Sequence, residues 1–400
     1  MKGWKEVRLG DLFEIKAGGD LQEANFSSCR TDHARWAIYA NSLENKGLYG
    51  YTSQPRFRGN AVTITGRGEV GHAEFRDDDF DAIVRLLVLL PKVDVDCRYI
   101  TYYINSLVHF PKESTGVPQL TAPKVKRIKI NLPQLKTEQT AIANILTKVD
   151  EAIVSVQNSI IAAERLKKSL MQNLLTGKMK PDGTFRTSEE FYIDEKFGKV
   201  PVGWEVKKLK DIAQIQRGKF GHRPRNDERF YNGDFPFVQT GDVVESVFFL
   251  KGASQSLNAL GASVSRSFPV NTIIMTIAAN IGFVALTRYE VFFPDSLIGI
   301  NAKEDVINSS YLLLHLMRYK NILDAQATES AQKNINYSNL RPLPILFPTK
   351  KEEQLQITNK VIAIFSEIDS KKTKIKILEQ LKKSLMQNLL TGKIVIANQN

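Results

Sequence analysis

Apolar residues recur along two stretches of the chain in alternating steps of four and three. In the first, Ile142, Leu146, Val149, Ile153, Val156, Ile160, Ala163, Leu170 and Leu174 fall on one line, interrupted only by Lys167. In the second, Ile357, Val361, Ile364, Ile368, Ile375, Leu378, Leu385 and Leu389 do so, interrupted by Lys371 and Lys382. This spacing keeps one face of an α-helix apolar and marks a coiled-coil seam. Each predicted helix follows a proline, Pro133 or Pro348, and ends at a glycine, Gly177 or Gly392, which readily takes the left-handed position after a helix. The second opens on Thr349-Lys-Lys-Glu352, a capping-box pattern. About 40 residues at 1.5 Å rise give a rod of roughly 60 Å. A lone rod would show its stripe to water, so the two are expected to pack on each other, antiparallel if an approximate two-fold axis relates them.

The rest of the chain is patterned differently. Short β-rich runs such as AVTIT (61–65), AIVRLLVLL (82–90) and TIIMTI (272–277) sit among Gly, Asn and Pro turns. Shorter helices are expected near Tyr99–Ser106 and Ser310–Tyr319. The fold class is therefore α+β: two mixed globular domains and two long helices.

These parts form a tandem repeat. LKKSLMQNLLTGK occurs twice, at 166–178 and 381–393, an offset of 215. GWKEVRLGDLFEIKAGG from Gly3 aligns with GWEVKKLKDIAQIQRGK from Gly203, and NAVTITGRGEVG (60–71) with NTIIMTIAANIG (271–282). The expected organisation is a first globular domain at 1–135, a helix at 136–178, a polar, turn-rich linker at 179–200, a second globular domain at 201–348, a helix at 349–393 and a tail at 394–400. The helix ends agree far better than the globular parts, so one piece is held constant while the other diverges.

Charge then narrows the partner. A net formal charge of +12 favours a polyanion, nucleic acid first. Two distant cysteines, Cys29 and Cys97, leave no disulfide framework, and no CxxC or HxxxH spacing suggests zinc. The start, MKGWKEVRLGDLFEI, lacks an apolar signal region, and FPVNTIIMTIAANIGFVALT (268–287) is broken by Pro and Asn in the manner of buried strands. A cytoplasmic location is expected.

Catalytic motifs are weak. GRGEVG (66–71) follows a strand, but no helix and distant acidic residue complete a dinucleotide fingerprint, so a tight turn is the better reading. Asp182, Asp194 and Lys196 mimic the spacing of a metal-dependent nuclease, yet lie in the linker. No Walker loop, adenine-methylase tetrapeptide or nucleophile triad stands out, so no catalytic, cofactor or metal residue is assigned. Binding residues are more plentiful. Arg217, Lys219, His222, Arg223 and Arg225 lie on one Gly/Pro-containing loop suited to phosphates and guanine edges, with Lys333 further along. In the first domain Tyr51, Gln54, Arg56, Arg58, Arg67 and His72 are the DNA candidates. Lys371, Lys372, Lys374 and Lys376 either line DNA or form a solvated helical face.

The whole pattern resembles the specificity subunit of type I restriction–modification systems. The resemblance rests on FGKVPVGWEVKKLKDI (197–212), FPFVQTGDV (235–243), LPQLKTEQTAIANIL (132–146), FPTKKEEQLQI (347–357) and the repeated helix end. It implies that the globular parts are target recognition domains, each reading half of a split DNA sequence. It also implies that the helices set the spacing and dock two methyltransferase subunits. S-adenosylmethionine, ATP and Mg would then belong to methyltransferase and restriction partners, not to this chain. The first half departs at RWAIYANSL (35–43), which lacks the Thr-Gly-Asp of the second, so different half-sites are expected. The rival readings are a coiled-coil scaffold that never meets DNA and a metal-dependent nuclease.

Overall fold

The computed structural model describes residues 3–110, 119–222, 225–278, 280–328, 335 and 337–394. The chain divides into two compact units, Met1–Gln157 with Thr373–Asn400, and Asn158–Lys372.

In the first unit, Trp4–Arg8 pairs antiparallel with Lys129–Pro133 and ties the two ends of the globular domain together. The main sheet has the antiparallel order Phe13–Ala17, Leu87–Pro91, Ala61–Ile64, Ala73–Arg76. All four residues of Ala61–Ile64 are buried, which explains a run with no polar alternation. Helix Cys97–Leu107 covers this sheet; Asp96 caps it, its carboxylate accepting from Arg98 N (2.9 Å) and Tyr99 N (3.2 Å). Burial alone would raise the Asp96 carboxyl, but hydrogen bonds from Arg98, Tyr99 and Thr140 hold it below the usual carboxylate range. A second sheet has the order Phe26–Ser27, Leu48–Thr52, Trp36–Tyr39, Phe80–Ala82, its last pair parallel.

The second unit repeats this plan. Trp204–Lys208 pairs with Pro344–Pro348, and the main sheet runs Ala213–Arg217, Leu297–Ala302, Ile273–Thr276, Val284–Leu286. Helix Ser309–Thr328 stands where the first unit has Cys97–Leu107. The second sheet runs Gln255–Leu257, Tyr231–Phe237, Val291–Phe292, Ser267–Phe268, again with one parallel pair, between Tyr231–Phe237 and Val291–Phe292. The main sheets thus repeat in topology, while the second sheets share three strands and differ in the fourth: Phe26–Ser27 lies beyond Leu48–Thr52 in the first unit, Ser267–Phe268 beyond Val291–Phe292 in the second.

Small devices repeat with it. Asn60 and Asn271 both enter the central strand at positive φ, 53° and 64°. Thr65 and Thr276 then hold the next turn: Thr65 O and Thr276 O accept from the amides of Gly71 (2.8 Å) and Gly282 (2.9 Å), and their hydroxyls accept from the following N–H at 3.0 Å in each case. The glycine-rich stretch 66–71 is this turn. Gly71 sits at φ +93°, and a Cβ there would fall 2.1 Å from the Phe110 ring. Gly71→Ala is therefore expected to destabilise the first unit by about 2–3 kcal/mol, read as a lower urea midpoint; an unchanged midpoint would mean the turn adapts freely.

The seam is built as its spacing predicts. The long helices span Lys136–Leu174 and Lys351–Leu389, 39 residues each. All sixteen aliphatic seam residues larger than alanine are buried or half-buried, none exposed. In the first unit Ile142 and Leu146 share a core with Leu385, Leu389 and Leu390, while Asp150 meets Lys382 at 2.6 Å. In the second, Leu174 shares a core with Ile357 and Val361, Lys167 lies 4.9 Å from the Phe365 ring, and Ser159 Oγ accepts from Lys371 Nζ at 2.5 Å. Within each unit the two helical segments therefore run antiparallel. The interrupting lysines have partners at matching positions, since Asp150 and Phe365 are themselves 215 apart. Two local expectations change. Thr349 makes no capping box; its hydroxyl donates to Gly203 O (2.9 Å) instead. The segment 179–200 carries part of a hairpin, Phe191–Asp194 with Gly198–Pro201, and Arg186 anchors it through Gly177 O (2.9 Å) and Glu353 Oε1 (2.5 Å). Nor is each helix a module apart from the globes, because each unit's core takes helical residues from both repeats. No described helix is long and apolar enough to cross a membrane.

Candidate nucleic-acid interface

The predicted DNA residues fall into two classes. Arg58, Arg67 and Lys219 are exposed, and their side chains make no hydrogen bond or ion pair with a described residue. Arg67 is presented by a built turn, since Asn41 Oδ1 accepts from Gly66 N (2.5 Å) and Arg67 N (3.2 Å) while Asn41 Nδ2 donates to Arg67 O (2.7 Å). Gln54 is exposed beside Asn25, which donates to it at 3.5 Å. Such side chains can reach a phosphate without first breaking a contact.

Others are already engaged by partners within the protein. Arg56 Nε donates to the buried Asp81 carboxylate at 2.6 Å, and its Nη2 donates to both Asp20 O (3.1 Å) and Ala82 O (3.2 Å). His72 Nε2 lies 3.0 Å from Glu74 Oε1. Arg217 Nε donates to Asp295 O at 2.5 Å, and Arg225 pairs with the Asp295 carboxylate. His222 stacks on Phe230 with centroids 4.2 Å apart, its Nε2 3.0 Å from Asp227 Oδ2. Asp227 also receives Arg229, whose guanidinium, with help from His222, keeps that carboxyl well below the usual range. These residues shape the loop around 217–230. Arg223 and Lys333 lie outside the described residues.

Two concave surfaces were not foreseen as such. One, of about 580 Å³, lies over Trp36–Tyr39 and Leu48–Thr52 and is lined by Arg35, Trp36, Tyr51 and Asp77–Asp79 among others. Its Arg35 guanidinium rests 4.1 Å over the Trp36 ring. The other, of about 600 Å³, lies over Tyr231–Phe237 and Gln255–Leu257 and is rich in carboxamides. Arg76 is buried 3.5 Å over the Tyr39 ring and supports the first hollow from below.

The nuclease residues are elsewhere engaged. Asp182 accepts from Thr184 N (2.8 Å) and Thr184 Oγ1 (2.7 Å), and Asp194 accepts from Lys196 N (2.8 Å) and Phe197 N (3.0 Å). Each carboxylate closes its own turn, and among the described residues no group of His, Cys, Asp and Glu could hold a metal ion.

A duplicated mixed domain, closed by paired helical segments and bearing exposed cations on its loops, matches a known family. The model of the type I restriction modification DNA specificity domain fits residues 1–165 and 201–382. The chain belongs to that family. Similar proteins include the HindI specificity subunit of Haemophilus influenzae, 22% identical across 98% of this chain and 100% of that protein. The MjaVIII specificity subunit of Methanocaldococcus jannaschii is 28% identical over 76% of this chain and 72% of that protein. Among solved structures, the S subunit from M. genitalium superposes with a TM-score of 0.65 at 15% identity, covering 96% of each chain. A chain from a study of complex assembly and conformational transition in the type I R-M system gives 0.53 at 15% identity over 98% and 99%. At that identity the likeness establishes the fold of the specificity subunit and no more.

Proposed function

We propose that this specificity subunit is the non-catalytic DNA-reading and assembly component of a type I restriction–modification complex. Each globular domain reads one half of a bipartite duplex target, and the helical pair sets the unread spacer between halves. Half-sites separated by about 34–36 Å, or a multiple, lie on one face of the duplex, which a rigid spacer can enforce. The helices also dock two methyltransferase subunits, to which S-adenosylmethionine binds. Restriction subunits using ATP and Mg join the same core in the cytoplasm.

The observation that carries this reading is the duplication itself: one main-sheet plan, used twice, with its seam kept and its loops changed. A scaffold indifferent to sequence has no use for two unlike heads, whereas a bipartite reader requires them. The nuclease reading finds no support in Asp182 and Asp194, which close turns.

The experiment is reconstitution with the cognate methyltransferase and mapping of modified adenines on genomic DNA. A split motif with an unread centre is expected. A continuous motif, or modification that does not depend on this chain, would sink the proposal.

A further inference from the structure

Each repeat carries a hollow on matching strands of its second sheet. In the first domain Trp36–Tyr39 pairs antiparallel with Leu48–Thr52 and parallel with Phe80–Ala82. In the second, Tyr231–Phe237 pairs antiparallel with Gln255–Leu257 and parallel with Val291–Phe292. The same two strands thus floor both hollows, while the side chains on them have been exchanged.

The exchange is chemically ordered. In the first hollow Arg35 is stacked on Trp36, which orients its guanidinium and leaves the N–H edges open. Asp77 and Asp78 face the same space, and their carboxylates accept no hydrogen bond from a described residue. Three aspartates beside the arginines make this a poor seat for a phosphate; donors and acceptors set side by side suit a base edge.

The second hollow offers amides instead. Gln239 is fixed by its own capping box with Asp242, and its Nε2 donates to Gln255 Oε1 at 2.9 Å. That bond orients the exposed Gln255 carboxamide, leaving its Nε2 and one lone pair of Oε1 open. Asn226 and Asn232 are exposed at the same rim, while Arg225 is committed to Asp295.

We infer that the two hollows are the base-reading surfaces and that they read different pairs: a G·C pair through Arg35 and Asp77–Asp78, an A·T pair through Gln255. A guanidinium fork matches guanine O6 and N7, a carboxylate takes the cytosine N4 amino group, and a carboxamide matches adenine N6 and N7. Backbone phosphates fall to the open cations Arg58, Arg67 and Lys219. The assignment rests on the bipartite reading proposed above.

The test uses the full-length subunit with its methyltransferase partner on a DNA library randomised in both half-sites, modified molecules being sequenced. Gln255→Ala is expected to relax one A·T position in one half only, by roughly 10- to 100-fold, and Gln255→Glu to exchange adenine for cytosine there. Arg35→Ala and Asp78→Asn are expected to relax a G·C position in the other half only. Modification that persists with both half-sites unchanged overturns the hollows as readers but leaves bipartite reading intact, as does relaxation of both halves by one variant. If the wild-type complex modifies DNA without a split preference, the parent reading fails and this one with it.

Discussion

Arg56→Ala is expected to lower the stability of the first unit by about 2–4 kcal/mol while leaving DNA discrimination by the folded protein intact. The guanidinium meets Asp81, whose side chain is only 2% exposed, and removing it strands a buried carboxylate. The figure sits below the usual loss for a fully buried pair because Arg56 itself is 29% exposed. Arg58→Ala, two residues on, should do the reverse. With no partner to lose, it leaves the urea midpoint alone, weakens DNA binding evenly across sequences and reduces the salt slope by about one. The pair of variants separates two residues that look alike in YGYTSQPRFRG. An Arg56→Ala protein that melts like the wild type and binds DNA more weakly would reverse the assignment.

The second large effect concerns the Glu-Gln step that opens each long helix. Gln139 and Gln354 are almost wholly buried. Gln139 Nε2 donates to Pro133 O (2.9 Å) and its Oε1 accepts from Asp96 N (3.1 Å); Gln354 likewise bridges Pro348 O and Asn308 N, both at 2.8 Å. One side chain thereby ties the strand before the helix to the cap of the neighbouring helix. Alanine at either position leaves two buried backbone groups unmatched, a loss of about 2–5 kcal/mol. Leucine keeps the volume and should recover little, because the loss lies in the orphaned groups. Chemical unfolding of the four variants checks this; full recovery by leucine would show that the glutamines matter only as filling.

The long helices were legible because their seam repeats over five heptads, a signal too long to arise locally. The duplication was legible because its constant parts are nearly identical. What the sequence hid depends on contacts distant along the chain. Arg56 and Arg58 share composition, exposure of neighbours and loop, yet only Arg56 meets Asp81, 25 residues away. His222 and Arg225 looked like DNA ligands, but Asp227 and Asp295 take them. The hollows escaped notice because their walls come from separate segments: Arg35 from just before one strand, Tyr51 from a second strand, Asp77 from just after a third. The capping pattern at Thr349 misled for a related reason, since Gly203 O competes for the hydroxyl.

The crossing of helix ends between repeats has a consequence for how the chain matures. Leu385, Leu389 and Leu390 help to fill the core of the first domain, although in the chain they come after the whole second globular domain. The amino-terminal domain is therefore complete in sequence long before it is complete in volume. Until Leu385, Leu389 and Leu390 have been made, a nascent chain should present an open apolar seat around Ile142 and Leu146, a natural point for chaperone attention.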